Sequence, residues 1–353
     1  MEGEVRGVRP YGRGHINATF LVDASGPGGD GRFILQRINS SVFRDPATLM
    51  ANLGRVTRHL RSRLEAEGAP ELDRRALTLV SSEDGRDFVE DATGGFWRCF
   101  PFLEGTREVV AVENRDQAFH AAKAFGTFQR LLSDLPEPSL TPTIPHFHDA
   151  QRRFEAFAAA MDCDLLNRAN QAVPEIRYAL GNRPLAEFFA GFIARGEMSE
   201  RVTHNDTKLD NLLFDTASGQ ALCVIDLDTV MPGLALYDFG DLARSAACTA
   251  AEDELQLDKV RVDPDIFGAL AKGFLEGTEP GLSAVERENL VGATQVFAYT
   301  LGLRFLTDFL EGDRYFRIHR EGHNLDRARA QFALLRDLQE QEDALRAATI
   351  STS

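Results

Sequence analysis

Apolar residues alternate in short runs over the first hundred positions and recur at helical spacing from about Glu113 onward. Ala18, Phe20 and Val22 share one face of a run that predicts a half-buried strand, and Arg32 to Ile38 predicts another. Ser25-Gly-Pro-Gly-Gly-Asp-Gly31 between them has the composition of a flexible hairpin connection. Asp45 and Pro46 then stand as N-cap and first helical residue. The helix they open carries Leu49, Leu53, Val56, Leu60 and Leu64 on one stripe and stops at Gly68. Two more strands, near 86–91 and 96–102, flank Thr93-Gly-Gly95. The later, helical part is interrupted by one hairpin, Leu212 to Phe214 and Ala221 to Ile225, with a Thr-Ala-Ser-Gly turn at 216–219. The pattern predicts an α+β chain of two lobes. A β-rich lobe covers residues 1–102 and a mainly helical lobe covers 103–353, meeting near Phe100-Pro-Phe-Leu-Glu-Gly105.

The hairpin carries the chemistry. Val202-Thr-His204-Asn-Asp206-Thr-Lys208-Leu-Asp-Asn211 leads into its first strand, and Val224-Ile-Asp226-Leu-Asp228 closes its second. Taken singly, each polar residue here is an ordinary turn or Asx-turn residue. Together they supply what phosphoryl transfer needs: one carboxylate to take the proton of an attacking hydroxyl, and an Asn and a second carboxylate to hold magnesium. Paired strands would bring Asn211 beside Asp226. The spacing is that of the kinase catalytic loop H-x-D-x-x-x-x-N followed by a metal-binding Asp.

Bulk properties narrow the setting. With 353 residues the chain is long enough for two cores. No apolar run approaches the roughly 18–20 residues of a membrane span, and Met1 to Pro10 holds no signal-like apolar region, so a cytoplasmic, membrane-free protein is expected. A net charge of −15 argues against a nucleic-acid partner. Cys99, Cys163, Cys223 and Cys248 are scattered and read as buried, reduced core residues. The lysines are only Lys123, Lys208, Lys259 and Lys272, and a Walker-type loop is absent. Lys208 follows Asp206 by two residues, where an ammonium could neutralise a transferring phosphoryl group or simply be a solvated loop lysine.

A nucleotide held between lobes would use the connector at 100–105, with Phe100, Phe102 and Leu103 as apolar walls for adenine. Tyr11-Gly12-Arg-Gly14-His15-Ile-Asn17 precedes a strand, and its glycines would let backbone amides approach phosphates, although an ordinary turn is an equal competitor. Arg304, Asp308, Asp313 and Tyr315 gather charge around a Glu-Gly-Asp turn. From spacing alone, Arg304 and Asp308 are better read as an i,i+4 salt bridge. His146 and His148 have the look of a metal pair without a third ligand and are read as structural.

The order of these parts resembles the aminoglycoside phosphotransferase and choline kinase family, which has a protein-kinase-like fold. The matching residues are His204, Asp206 and Asn211, then Ile225, Asp226 and Asp228, then Asp238, which is usually structural in the family. More narrowly, the chain is similar to bacterial N-acetylhexosamine 1-kinases. The specific stretches are Gly14-His-Ile-Asn17, Ile34-Leu-Gln36, Thr203 to Lys208, Ile225-Asp-Leu-Asp-Thr-Val-Met-Pro-Gly233, Arg304-Phe-Leu-Thr-Asp308 and Leu310-Glu-Gly-Asp-Arg-Tyr-Phe316. One departure from the wider kinase pattern is that no lysine precedes Lys123; Gln36 stands where a third-strand lysine is usual, with Arg37 beside it. Strand alternation lets only one of the two face the cleft.

The resemblance implies in-line transfer from ATP, with Mg²⁺, to a sugar hydroxyl. Asp206 would be the base, Asn211 and Asp226 the metal ligands, and Asp228 a second-ion ligand or sugar contact. The acceptor would meet His15, Arg304, Asp308 and Tyr315, with His323, Asn324 and Arg327 lining the same pocket. Two other classes stay open: a kinase for another hexose, an aminoglycoside or an amino alcohol, and an inactive binding protein of the same fold. A choline ammonium would need an aromatic cage, and Trp97 is the lone tryptophan.

Overall fold

The structure, a computed structural model, describes residues 4–12, 16–26 and 29–350. Strands β1 (Glu4–Pro10), β2 (Ala18–Gly26), β3 (Gly29–Arg37), β4 (Val89–Glu90) and β5 (Phe96–Pro101) form an antiparallel sheet in the order β1-β2-β3-β5-β4. Residue pairing runs Thr19 to Gln36 to Arg98 and Leu21 to Ile34 to Phe100. Alternation therefore puts these six on one face, and Phe20, Val22, Phe33, Arg37 and Trp97 on the other.

The expected β2 and β3 are present but longer. Much of the segment expected as a flexible connection is ladder, with Ser25 opposite Asp30 and Gly26 opposite Gly29. Strand β1 was not anticipated. It is an exposed edge strand whose register shifts between Val5 and Gly7, so neither burial nor strict alternation marks it in the sequence.

Helix α1 (Pro46–Ala66) starts as its cap predicts, the Asp45 carboxylate accepting the Thr48 N–H at 3.0 Å. Gly68, at φ +68°, turns the chain away after it. Leu49, Leu53, Val56 and Leu60 of α1 are buried with Ile38 and Phe100 from the sheet side. Phe128 and Leu131 join the same core, as do Leu227 and Val230 from the segment after the hairpin. Burying these apolar side chains fixes the small lobe directly on the turn that carries Asp226 and Asp228.

A short helix, α2 (Leu72–Arg75), precedes β4. Beyond β5 the chain enters a second layer through β6 (Thr106–Glu108), which pairs with β8 (Leu212–Asp215), the first strand of the hairpin it makes with β9 (Ala221–Val224). Strands β7 (Arg201–Thr203) and β10 (Met231–Gly233) pair across the catalytic segment. The remainder is helical: α3 (Arg115–Leu131), α4 (Ala150–Cys163), α5 (Val173–Gly181), α6 (Phe188–Ala194), α7 (Ala235–Ala246), α8 (Pro264–Thr278), α9 (Ala284–Glu288), α10 (Leu290–Glu311), α11 (His323–Glu340) and α12 (Glu342–Ile350). Phe125, Phe157, Phe239, Phe267, Phe274 and Phe305 fill their common core. Helices α3 and α8 touch backbone to backbone, since a methyl group at Gly273 or Gly277 would strike the carbonyl oxygens of Phe119 or Lys123.

The expected α+β bilobal architecture is thus what the chain adopts. The cysteines depart from expectation: Cys223 is buried, Cys99 and Cys248 are partly exposed, and Cys163 is exposed. Cys163 ends α4, where the chain leaves the core at Asp164. No helix among the described residues is long and apolar enough to cross a membrane.

Candidate active site

The hairpin delivers its two ends as the pairing demands. Leu212 lies opposite Val224, and the Ile225 N–H donates to the Asn211 carbonyl at 2.9 Å. Asn211 and Asp226 therefore flank one ladder end. Asp226 adopts the left-handed region, φ +56°.

The catalytic segment is clamped from below by α7. Asp238, fully buried, accepts the backbone N–H groups of His204 at 3.0 Å and Asn205 at 2.7 Å, and Gln129 Nε2 at 2.6 Å. Asp241 accepts the Thr207 N–H at 3.1 Å and is paired with Arg244. His204 is fully buried, donates through Nε2 to the Ile225 carbonyl at 2.9 Å, and accepts the Asp206 N–H on Nδ1 at 3.2 Å. That pattern fixes one neutral tautomer, so His204 is a brace rather than an acid or base.

Asp206 Oδ2 accepts from Asn211 Nδ2 at 2.9 Å and lies 3.1 Å from Lys208 Nζ. Oδ1 has no partner among the described residues and is open to an incoming hydroxyl. Burial works against the Lys208 ammonium, but Asp206, Asp210 and Asp241 more than offset it and hold its pKa above the usual lysine range. Lys208 stays charged beside the carboxylate.

The Asp226 side chain is reached by solvent, yet protein surrounds it. Burial first, then the like charges of Asp228 and Asp206, lift its carboxyl to about 7, against the pull of Arg98 and Lys208. Its two oxygens and Asn211 Oδ1 have no hydrogen-bond partner among the described residues. Crowded, unpaired oxygen donors of this kind are relieved by a cation. Among the described residues no three His, Cys, Asp or Glu side chains converge as a metal cage. One carboxylate and one amide oxygen are a donor set that magnesium can use, since it takes one or two protein carboxylates and completes its shell with phosphate oxygens and water.

Several expected contacts are elsewhere. Asp228, expected at a second ion or the sugar, is buried and doubly engaged: Arg98 grips both its oxygens and Asn17 Nδ2 donates to Oδ2 at 2.7 Å. Arg37 lies on the outer, exposed face of β3, so the cleft-side residue is Gln36, which accepts from Arg98 Nε at 3.0 Å. Asp308 is 3% exposed and accepts the N–H groups of Arg314, Tyr315 and Phe316 and the Asn324 amide, which leaves it nothing for a ligand. It is the organiser of the 312–316 turn, and the i,i+4 salt bridge to Arg304 does not form.

Asn324 also holds Asp313, His323 bonds Asp253, and Arg327 bonds Asn324 and the Arg317 carbonyl, so these three brace the turn rather than line an open pocket. Arg304 and Tyr315 do come together, with Nη2 3.4 Å from the hydroxyl, and Tyr315 is 71% exposed. Phe100 is buried beneath the sheet, whereas Phe102 stacks edge-on against Tyr11 at 5.8 Å and under Arg32 at 4.2 Å. The Phe102 N–H is taken by the Arg32 carbonyl, and Leu103 is buried with its carbonyl accepting from Thr106. Gly12 is open, at φ +79°; Gly14 and His15 lie outside the described residues.

Two side chains with unusual surroundings escaped the sequence reading. Arg98 is one. Arg153 of α4 is the other: among the described residues its one hydrogen bond is to the Phe147 carbonyl, its Nε is buried without a partner, and burial and Arg304 pull it below the usual arginine range. Neither Arg153 nor Arg304 has an ion-pair partner among the described residues.

His148 connects that side to the catalytic segment, its Nε2 2.7 Å from the Asn205 carbonyl and its ring among Phe147, Tyr237 and Phe297. Burial holds its imidazole down to about 4, despite the opposing pull of Asp241. The unfolded chain therefore binds the extra proton first. Stability should be full above about pH 6.5 and fall by no more than about 3 kcal/mol as pH drops toward 4. Urea unfolding across that range checks this, and the slope should flatten in His148→Gln.

The profile of the phosphotransferase enzyme family matches residues 7–269. The chain belongs to that family. Among solved structures, this phosphotransferase is similar to choline kinase from Cryptosporidium parvum Iowa II, with a TM-score of 0.61 and 14% identity over 98% of this chain and 92% of that one. A choline/ethanolamine kinase family protein from Mesorhizobium loti gives 0.53 and 17% identity over 97% and 92%. A spectinomycin phosphotransferase, APH(9)-Ia, in complex with ADP and spectinomycin, gives 0.51 and 10% over 99% and 94%. At these identities the likeness is one of fold. It establishes the kinase-like bilobal fold and leaves the acceptor to be argued from the site.

Proposed function

We propose that this phosphotransferase moves the γ-phosphoryl group of ATP to the anomeric hydroxyl of an N-acetylhexosamine, N-acetylglucosamine or N-acetylgalactosamine, giving the sugar 1-phosphate. The observation that carries the acceptor class is the pair of arginines, Arg153 and Arg304, without carboxylate partners among the described residues; Arg153 donates to the Phe147 carbonyl, and the next residue, His148, reaches the Asn205 carbonyl of the catalytic segment. Unpaired guanidiniums with a tyrosine hydroxyl match ring hydroxyls and an acetamido carbonyl, which are neutral oxygen acceptors. They repel the cations taken by choline and aminoglycoside kinases. Trp97, on the outer face of the sheet, offers no cage for an ammonium.

Asp206 orients the sugar hydroxyl through Oδ1 and takes its proton, a modest task because an anomeric hydroxyl is more acidic than its neighbours. Lys208 and Asn211 hold the other oxygen still. Asn211 Oδ1 and Asp226 would hold magnesium, which would supply the positive charge that neutralises the phosphate oxygens. ADP in the spectinomycin phosphotransferase supports ATP as donor. Free sugar and ATP meet in the cytosol, where this reading places the enzyme.

ATP consumption against a panel of free sugars, choline, ethanolamine and aminoglycosides, with the product's phosphate position read by NMR, tests the proposal. Arg304→Ala should raise the sugar KM and lower kcat/KM by one to several orders of magnitude, about 1.4 kcal/mol per tenfold, because the acceptor's polar groups lose their partner. The KM for ATP should hardly move. Weakened ATP with the sugar spared, or no anomeric phosphate on any N-acetylhexosamine, would sink the reading.

A further inference from the structure

No lysine precedes Lys123, so the strand cations of the sheet lobe are arginines. Arg6, Arg9 and Arg32 are at least partly exposed and paired with Asp30, Asp23 and Glu104. Arg37 is on the outer face. Arg98 is different: its side chain is 2% exposed and its guanidinium meets the 3% exposed Asp228 carboxylate fork to fork. This pair joins residues 130 positions apart, one in the nucleotide lobe and one in the turn that presents Asp226.

The pair sits in a chain of contacts. Arg98 Nε donates to Gln36 Oε1, and Gln36 Nε2 donates to Thr19 Oγ1 at 3.1 Å, which keeps the guanidinium plane fixed across β2, β3 and β5. On the other side, Asn17 Nδ2 reaches the same Asp228 oxygen, and Asn17 Oδ1 accepts the Asn39 N–H at 3.0 Å. Asn17 directly precedes β2. One carboxylate thus gathers the sheet, the entry to β2 and the candidate metal turn. The Asp228 backbone is held as well, its carbonyl accepting from Thr143 at 2.8 Å.

We propose that Arg98 is a positioning residue for the nucleotide: through Asp228 and Asn17 it sets the sheet lobe and the Asp226 turn at the spacing that a magnesium-bound nucleoside phosphate requires. Arg98 acts on the ligand only through these partners, and Asp228 serves the nucleotide by anchoring rather than by ligating metal. A buried ion pair adds little net stability compared with an apolar pair of the same volume, whereas removing one partner is strongly destabilising. That asymmetry separates the two uses such a pair could have. Glue can be replaced by a hydrophobic contact; a device that sets the sheet relative to the Asp226 turn cannot.

The test measures melting temperature, Mg-ADP binding by calorimetry, and ATP kinetics with whichever acceptor the panel identifies. Arg98→Lys keeps the buried charge but loses the two-pronged grip and the Gln36 contact. It should weaken Mg-ADP at least tenfold and leave the acceptor KM unchanged. Arg98→Met with Asp228→Leu should regain most of the melting temperature lost by Arg98→Met alone, yet bind Mg-ADP as poorly as the single variant. Wild-type nucleotide affinity in that double variant, or in Arg98→Lys, overturns the proposal and leaves the pair as a structural contact. Should the double variant not fold, the Arg98→Lys affinity decides alone. Nucleotide binding needs no acceptor, so failure here is distinct from failure of the sugar assignment.

Discussion

Asp206→Asn should lower turnover by roughly 10²–10⁴ while Mg-ATP affinity stays within a few fold of wild type. The substitution keeps the size of the side chain and keeps an oxygen for Asn211 and Lys208, so the segment clamped by Asp238 and Asp241 should not move. What it removes is the proton acceptor at the position now open on Oδ1. Lys208 cannot replace it, since its neighbouring carboxylates keep the ammonium protonated. His204 cannot either, because both ring nitrogens are committed to backbone partners. Rapid-quench measurement of single turnovers isolates the chemical step from product release. A variant that transfers phosphate at the wild-type rate would remove Asp206 from the proton transfer.

The part of this site that is visible in the sequence is the part built locally. Asp206, Asn211 and Asp226 lie on one short hairpin, so spacing and strand pairing suffice to bring them together. The α1 boundaries are legible for a similar reason, because a cap and a glycine act within one turn of the helix. Contacts that close over long separations leave no such trace. Arg98 looks like any strand arginine until β5 is set beside β3 and the lobe is set on Asp228. Arg153 looks like a surface helix charge until α4 docks against α10.

Asp308 and Asp228 show the converse error. Both are carboxylates in motif-like surroundings, and nothing local says that backbone amides in one case and an arginine in the other have taken their lone pairs. The useful discriminator is hydrogen-bond saturation. Asp206 and Asp226 keep free oxygens, and Asp228 and Asp308 do not.

Asp226→Ala should abolish magnesium-dependent nucleotide binding and activity together, in contrast to Asp206→Asn. Asp226 contributes the one carboxylate at the ladder end that has no protein hydrogen bond, beside an Asn211 oxygen that is also free. Without it the ion would have a single neutral amide oxygen from this hairpin and would be held by phosphate and water alone. Titrating ADP into the variant with and without magnesium should therefore show a metal effect near zero, where the wild type shows a large one. Folding should survive. The wild-type carboxylate sits among the like charges of Asp206 and Asp228, which lift its pKa to about 7, so removing it relieves repulsion in the metal-free protein. The sign follows from linkage: a carboxyl raised above its unfolded value favours the fold at low pH and loses that contribution as pH rises through about 7. Above that pH the metal-free Asp226→Ala variant should melt at or above the wild-type temperature. A variant that keeps wild-type Mg-ADP affinity, or melts lower because Asp226 was holding the fold, would count decisively against Asp226 as the metal ligand.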